Sequence, residues 1–474
     1  MSTSPDLCII GAGALGIDLA LYARRLGASV VLADRDRIEP GDAVRHALRM
    51  ASLVESAKRA QDMRRAPELG VGGSDSKLSV KQIAERASRL VDSRSRATSN
   101  EVLTAQGITV TRGAVRFVDS RSLLIGDVTI KPAKIIVALG GTPVVPTVPG
   151  LADVAFFDLD SILENQRKLT HLVIMGGDAA SVEQAQLQRR LGAQVTLVPQ
   201  GALLPGIDPE ATALLMNALA SEGINIRAGA KVVAFQKRSQ GIGVEIETAE
   251  GGRESLDASH VLVSAGRAVA LDEIDIAKVN LKVDGATQSM LRGPLGETSL
   301  RSIRLVGAAA GQESWSEARA HGRAVVDSFI GGGQALSAIR IPRIVETEPA
   351  LAQIGPLLEP KGRPRPGDTI IRENMAENDR AAAMGSAPGL VKVLVNGQGQ
   401  IQRASLIGPH AVELAGALAL VMGRKAGLAE LDDLPVPRPS VFEILCRLGE
   451  NYLGSRTVSP KGKGGLALLR LLRR

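Results

Sequence analysis

The sequence predicts an α/β fold organised around two βαβ units, and two stretches carry that prediction. Leu7 to Asp34 begins as an apolar strand (Leu7, Cys8, Ile9, Ile10) and passes through Gly11-Ala12-Gly13-Ala14-Leu15-Gly16 into a helical pattern reaching Leu26. It breaks at Gly27 and resumes as Val30-Val31-Leu32, ending on Asp34. About 160 residues later the outline recurs: strand His171 to Met175, glycines, a helix, Leu191-Gly192-Ala193, and strand Gln194 to Val198. Strand, glycine turn, helix and strand, twice in one chain, is the pattern of Rossmann-like nucleotide-binding domains on parallel sheets.

In the first unit each glycine has its own task. Gly11 permits the tight turn, Gly13 lets the backbone approach a pyrophosphate, and Gly16, after Ala14 and Leu15, lets the helix lie close on the strand. Phosphates would sit at the helix N-terminus, which favours anions, and the Asp34 carboxylate would accept from an adenosine ribose. A bound dinucleotide is therefore expected here in preference to a bare glycine turn.

After Asp34 a turn, Glu39-Pro40-Gly41-Asp42, leads to a helix from about Val44 to Met63 and a second, charged helical segment, Ser74 to Arg96. Ile108 to Ile130 alternates apolar and polar residues as short antiparallel strands do. Lys134-Ile135-Ile136-Val137-Ala138-Leu139-Gly140-Gly141-Thr142-Pro143 is a strand running into a glycine turn, and Pro146 to Gly150 marks a domain boundary. Beyond the second unit come a strand pair around Val232 to Thr248, the run Val261 to Arg267, and a strand Ile303 to Ala308 before a helix, Ser316 to Phe329. From about Ile341 strands and helices mix, up to a Pro-rich turn at Leu434 to Pro439 and a basic, leucine-rich end.

A chain of 474 residues is too long for one core, so about three domains are expected. No apolar run approaches the roughly 20 residues of a membrane span, and Met1 to Asp6 lack the basic start of a secretion signal, so a cytoplasmic protein is expected. The two cysteines, Cys8 and Cys446, exclude a disulfide framework and a Cys-based metal site. The net charge of +7 comes from dispersed basic residues that are not interleaved with aromatics, which argues against nucleic-acid binding.

With these residues in view, the chain resembles the pyridine-nucleotide disulfide oxidoreductases, the family of dihydrolipoamide dehydrogenase, glutathione reductase and mercuric reductase. The resemblance runs from about residue 5 to residue 452. It is carried by Gly11 to Gly16 with Asp34, by Ala138 to Pro143, by Val263-Ser264-Ala265-Gly266-Arg267, by Val306-Gly307, by Ala376 to Ala381, and by Gly408-Pro409-His410 with Glu413. It implies an FAD-binding domain in two segments, 1–148 and 266–335, split by an inserted NAD(P)-type domain, 149–265. A C-terminal α+β dimerisation domain, 336–455, would pair two subunits, leaving 456–474 as a tail. The FAD-contacting positions it implies are Gly11, Gly13, Ala14, Gly16, Asp34, Ala138, Gly140, Gly307 and Ala308.

The same resemblance exposes departures. The family's C-x4-C disulfide falls on Ala43 and Leu48, and a lysine near the flavin falls on Ser52, so no dithiol relay is available. His46 lies in this segment and reads as a surface or packing residue rather than a catalyst. The family's His-Pro-Thr-x-x-Glu becomes Arg438-Pro439-Ser440-Val441-Phe442-Glu443; an arginine cannot shuttle a proton, and it should pair with Glu443 instead. In the second unit Asp178 replaces the glycine that admits pyrophosphate, and Pro199 replaces the ribose-binding acid, so NAD or NADP binding in the family's mode is disfavoured. Gly307-Ala308 replaces a Gly-Asp whose aspartate holds the ribityl chain. One lost charge-assisted hydrogen bond, about 1.5 to 3 kcal/mol, weakens FAD binding without abolishing it.

The expected function is thus an FAD-dependent oxidoreductase without the disulfide relay or the catalytic histidine, its redox chemistry at the flavin, with no catalytic residue assigned. The alternative is a non-catalytic flavin-binding or empty scaffold that acts by protein association. A homodimer is expected. The tail, Pro460 to Arg474, sets Leu468, Leu471 and Leu472 on one face among Arg470, Arg473 and Arg474. That is the arrangement of a short helix docking on a protein or an anionic membrane surface.

Overall fold

The computed structural model describes residues 4–35, 42–73, 77–95, 98–282, 290, 293, 295–312, 314–331, 341–355, 367–385 and 388–455. The turn residues Glu39, Pro40 and Gly41 and the tail from 456 lie outside them. The chain forms two compact units, residues 1–205 with 219–339, and residues 206–218 with 340–474.

The first unit opens with β1 (Leu7–Ile10), α1 (Ala14–Arg25), β2 (Val30–Asp34), α2 (Asp42–Arg65), α3 (Val80–Ser95), α4 (Asn100–Ala105) and β3 (Ile108–Arg112). A meander of β4 (Val115–Asp119), β5 (Ser122–Ile125) and β6 (Val128–Ile130) precedes β7 (Lys134–Val137) and β8 (Thr142–Pro143). Then come β9 (His171–Met175), α5 (Ala179–Arg190) and β10 (Gln194–Val198), and, after α6 (Pro209–Ser221), most of which groups with the other unit, β11 (Ile224–Ile226). The hairpins β12 (Lys231–Lys237), β13 (Ile242–Glu247) and β14 (Arg253–Ala258) lead to β15 (His260–Val263), β16 (Arg267–Ala268), β17 (Ile303–Leu305) and α7 (Trp315–Ile330). Both βαβ units sit in parallel sheets, ordered β17-β7-β1-β2-β3 and β11-β10-β9-β15.

The apolar run of β1 is explained by burial on both faces. Leu7 and Ile9 join Ile17, Leu19, Val325 and Val326 from the helices, while Cys8 and Ile10 join Phe117, Leu123 and Ile125 of the meander. A strand covered on both sides has no polar face to alternate with. The antiparallel reading of residues 108–130 holds for β4 to β6 only. β3 pairs parallel with β2, from Val30↔Ile108 to Asp34↔Arg112, because α2 to α4 carry the chain back to the same end of the sheet. The expected bounds of the second helical segment, Ser74 and Arg96, lie outside the described residues; within them the helix begins at Val80, where Ser79 Oγ accepts from Gln82 N at 3.4 Å.

The second unit is a five-stranded antiparallel sheet, β18 (Pro342–Val345), β19 (Ala350–Ile354), β20 (Thr369–Asn374), β21 (Leu390–Val395) and β22 (Ile401–Gly408), in the order β18-β19-β22-β21-β20. With it go α8 (Asp379–Ala383), α9 (Ala411–Gly423) and α10 (Glu443–Ser455). Residues 206–218 belong to this unit: Lys392 Nζ lies 2.8 Å from the buried Asp208 carboxylate, and Gln353 Oε1 accepts from Asp208 N at 2.7 Å.

Candidate functional site

The residues singled out in the first unit line one crest of its sheet. Gly307 and Ala308 follow β17, Ala138 and Gly140 follow β7, the glycine turn follows β1, and Asp34 closes β2. These four strands are neighbours, so the row spans roughly 14 Å at the usual spacing of about 4.8 Å, which suits an extended ligand. Gly11 (φ +112°) is so close to β7 that a Cβ would lie 2.6 Å from the Ala138 carbonyl oxygen. At Gly16 a Cβ would meet the Gly11 carbonyl oxygen at 1.8 Å, so the helix start is pressed onto its own turn.

Gly13 differs from both, because a Cβ there would meet nothing within 4 Å. It precedes α1 in extended conformation, makes no side-chain cap, and no acidic residue stands in the first turn. The N-terminus of α1 therefore keeps unneutralised partial positive charge beside open space, as a phosphate requires. Ala14 is buried behind it. Asp34 is 6 % exposed, with Arg112 Nε 4.0 Å from its carboxylate. The parallel register Asp34↔Arg112 brings these two together, and reading β3 as antiparallel hid that neighbour. Gly307 (φ +63°) packs on Leu15 of α1, and exposed Ala308 offers no side-chain acceptor. The set fits the adenosine and pyrophosphate end of a dinucleotide, with only backbone groups at Ala308.

Helix α2 carries the segment on which the resemblance places the family's disulfide. Leu48 is half-buried, and Ser52 is buried with its Oγ accepting from Arg86 Nη1 at 2.8 Å. His46 Nδ1 lies 3.4 Å from Asp160, whose two oxygens accept from Arg267 at 2.9 and 3.0 Å; Arg267 Nε also donates to the Gly141 carbonyl at 2.9 Å. Burial lowers the His46 pKa below the ordinary imidazole value, Asp160 opposes this, and Arg267 and Arg49 reinforce it. His46 shares a polar seam with the Arg49–Glu164 pair at 2.5 Å. Asp160 and Arg267 meet across 107 residues, a pairing with no periodic signal in the sequence.

The second βαβ unit, in the same compact unit as the first, forms a cleft of about 400 Å³ at the ends of β9, β10 and β15, lined by Gly176, Gly177, Asp178, Pro199, Gln200 and Ser264 among others. Asp178 caps α5. Its Oδ1 accepts from Ser181 N at 2.8 Å, from Ser181 Oγ, and from Ser264 Oγ at 3.2 Å. Pro199 packs on the turn so closely that a Cβ on Gly177 would lie 2.8 Å from its ring.

In the other unit, exposed Arg438 pairs with Glu443, as the sequence suggested, and Glu443 Oε2 also accepts from Ser440 N at 2.9 Å. Both cysteines are buried, and burial raises both thiol pKa values, so neither is a ready thiolate. Among the described residues no group of three His, Cys, Asp or Glu is placed to hold a metal ion, and no helix is long and apolar enough to cross a membrane.

Two parallel βαβ sheets in one unit, one with an open glycine turn, and a separate antiparallel α+β unit define a two-dinucleotide-fold oxidoreductase architecture. The chain belongs to the pyridine nucleotide-disulphide oxidoreductase family, whose profile matches residues 5–322. It is 27% identical over 430 residues to a mercuric reductase of Streptomyces lividans, covering 88% of this chain and 89% of that one. To a dihydrolipoyl dehydrogenase of Thermus scotoductus it is 25% identical over 450 residues, covering 94% and 96%. Its fold matches that of the HOCl-induced flavoprotein disulfide reductase RclA from Escherichia coli with a TM-score of 0.80 at 21% identity, covering 94% of this chain and 99% of that chain. LpdA from Mycobacterium tuberculosis matches with a TM-score of 0.81 at 20% identity, covering the same shares.

Proposed function

We propose that this chain is an FAD-dependent oxidoreductase that has given up the disulfide relay and handles electrons at the flavin alone. The observation that carries the reading is the uncapped N-terminus of α1, with open space at Gly13 and buried Asp34 closing the neighbouring strand. A chain with no use for a dinucleotide gains nothing from an uncapped helix start, which leaves backbone donors without side-chain partners. FAD would be held by Gly11, Gly13, Ala14 and Gly16 at the pyrophosphate, Asp34 at the ribose, and Ala138, Gly140, Gly307 and Ala308 along the crest. We read 1–148 and 266–335 as the two segments of that domain. When bound, the isoalloxazine ring supplies two-electron redox chemistry. The ring would work there without a thiol partner, since the resemblance puts Ala43 and Leu48 at the cysteine positions.

NAD or NADP is not assigned to the second βαβ unit, since Pro199 gives the ribose no carboxylate. The chain is proposed to be a homodimer in the cytoplasm, paired through residues 336–455. A second reading, a flavin-binding scaffold working by association, is favoured by Arg438, which cannot move a proton where the family places its histidine. The visible spectrum of the purified protein tests the first claim. Bands of bound oxidised flavin are expected, and a colourless protein that takes up no added FAD overturns it. Reductant and oxidant cycling of that band then separates the two readings: an acceptor-dependent turnover supports the enzyme, and a flavin inert to all acceptors supports the scaffold.

A further inference from the structure

The two βαβ units can be laid on each other residue by residue, because α1 and α5 are both 12 residues long and each follows its unit's first strand. Gly13 then corresponds to Asp178 immediately before the helix, and Gly16 corresponds to Ser181 in its first turn. The third match is across the sheet. A Cβ on Gly11 would lie 2.6 Å from the Ala138 carbonyl, and a Cβ on Gly176 would lie 2.6 Å from the Ser264 carbonyl, so Ala138 corresponds to Ser264. At all three positions the second unit has exchanged a residue without a polar side chain for one that has it. Those three side chains bond to one another: Ser181 N and Oγ and Ser264 Oγ all donate to Asp178 Oδ1.

We propose that the Asp178 carboxylate is a built-in occupant of the second unit's anion site, held there by Ser181 and Ser264 in place of a dinucleotide pyrophosphate. The chemistry of the clasp matches that of the ligand it replaces. An anion sits at a helix N-terminus, taking a backbone N–H of the first turn and hydroxyl donors from the turn and the adjacent strand end. A pyrophosphate arriving from solvent would meet a like charge and would have to displace three hydrogen bonds to a charged group. The cleft remains, but its phosphate-reading end is filled from within. On this reading the domain seats no pyridine nucleotide pyrophosphate at the N-terminus of α5.

This extends the reading of the second βαβ unit given above, and ADP-ribose, which carries no nicotinamide and no reducing equivalent, tests it independently of whether FAD is bound. ADP-ribose and NADH are titrated into the full-length protein by calorimetry and by NADH fluorescence, for the native chain and for Asp178→Gly and Asp178→Asn. The native chain is expected to show no saturable binding up to about 1 mM. Asp178→Gly should bind both ligands about tenfold or more tighter, and Asp178→Asn, which keeps the Oδ1 acceptor but loses the charge, should fall between. If Asp178→Gly fails to fold, Asp178→Asn decides alone. Folded variants that bind no better than the native chain overturn the clasp and leave the wider reading standing. Micromolar binding of ADP-ribose by the native chain overturns both.

Discussion

At Gly13 the chain leaves room and at Gly16 it leaves none, so side chains added at these two positions should have opposite kinds of effect. Valine at Gly13 has open space and an extended backbone that suits it, yet it stands where a pyrophosphate must approach. Gly13→Val should give soluble protein with unchanged circular dichroism and no yellow colour; flavin content equal to that of the native chain would refute the assignment. Gly16→Ala, with its Cβ 1.8 Å from a carbonyl oxygen, should cost about 3 kcal/mol or more and lower the thermal midpoint whatever cofactor is added. The glycines and Asp34 were legible because spacing within one βαβ unit announces them. Arg112, Arg86, Asp160 and Ser264 were not, since each meets its partner only through strand register or tertiary contact, 86 residues apart for Ser264 and Asp178.

At the scale of elements, α1 and α7 are joined by a polar seam as well as by packing. Asp18 accepts from Arg319 Nε at 3.1 Å and from Arg323 Nη2 at 2.8 Å, and Tyr22 donates to Asp327 at 2.8 Å. Burial alone would raise the Asp18 pKa, but the two arginines override it and hold the carboxyl below its ordinary 3.8. A carboxylate so depressed contributes stability above its unfolded-state pKa and loses that contribution as pH falls through the folded-state value. Asp18→Asn should therefore cost about 1 kcal/mol at pH 7, the modest figure reflecting the partial solvation of the pair. The gap between native and variant urea midpoints should hold nearly steady from pH 7 down to about pH 5 and narrow as pH falls below the ordinary carboxylate value of 3.8; a gap that does not narrow between about pH 4 and about pH 2 would show that packing, not charge, is responsible. The bounds of the strands in both βαβ units were legible because those runs are apolar and bracketed by glycine. Strand β14 was not, because Arg253-Glu254-Ser255-Leu256-Asp257-Ala258 is an edge strand whose mostly polar residues carry no hydrophobic run.

For the molecule as a whole, the homodimer is the first expectation to test. Helix α9 buries Ala411, Leu414, Ala415 and Leu418 and turns Leu420, 64 % exposed, outward, with open space around Gly416 and Gly423. Light scattering at micromolar concentration should give twice the chain mass, and Leu420→Glu should weaken the pairing about tenfold or more if this face is the seam. A native monomer would remove the proposal. Disulfide chemistry gives the second: turnover with lipoamide, glutathione disulfide or mercuric ion should be absent, as both thiols are buried with raised pKa values, and measurable turnover would require another reading of α2.

The ion pair of Asp208 with Lys392 and the grouping of residues 206–218 with the antiparallel unit mean that the border between the two units falls inside helix α6 instead of in a linker. The C-terminal portion is consequently not an exchangeable module as a continuous stretch of gene. A chain ending at residue 335 would keep Asp208, Ala211 and Leu215, all buried in the intact protein, but would lose the sheet that residues 206–218 group with. A recombination that keeps this unit whole when it is swapped between relatives has to move two separate pieces, 206–218 together with 340–474.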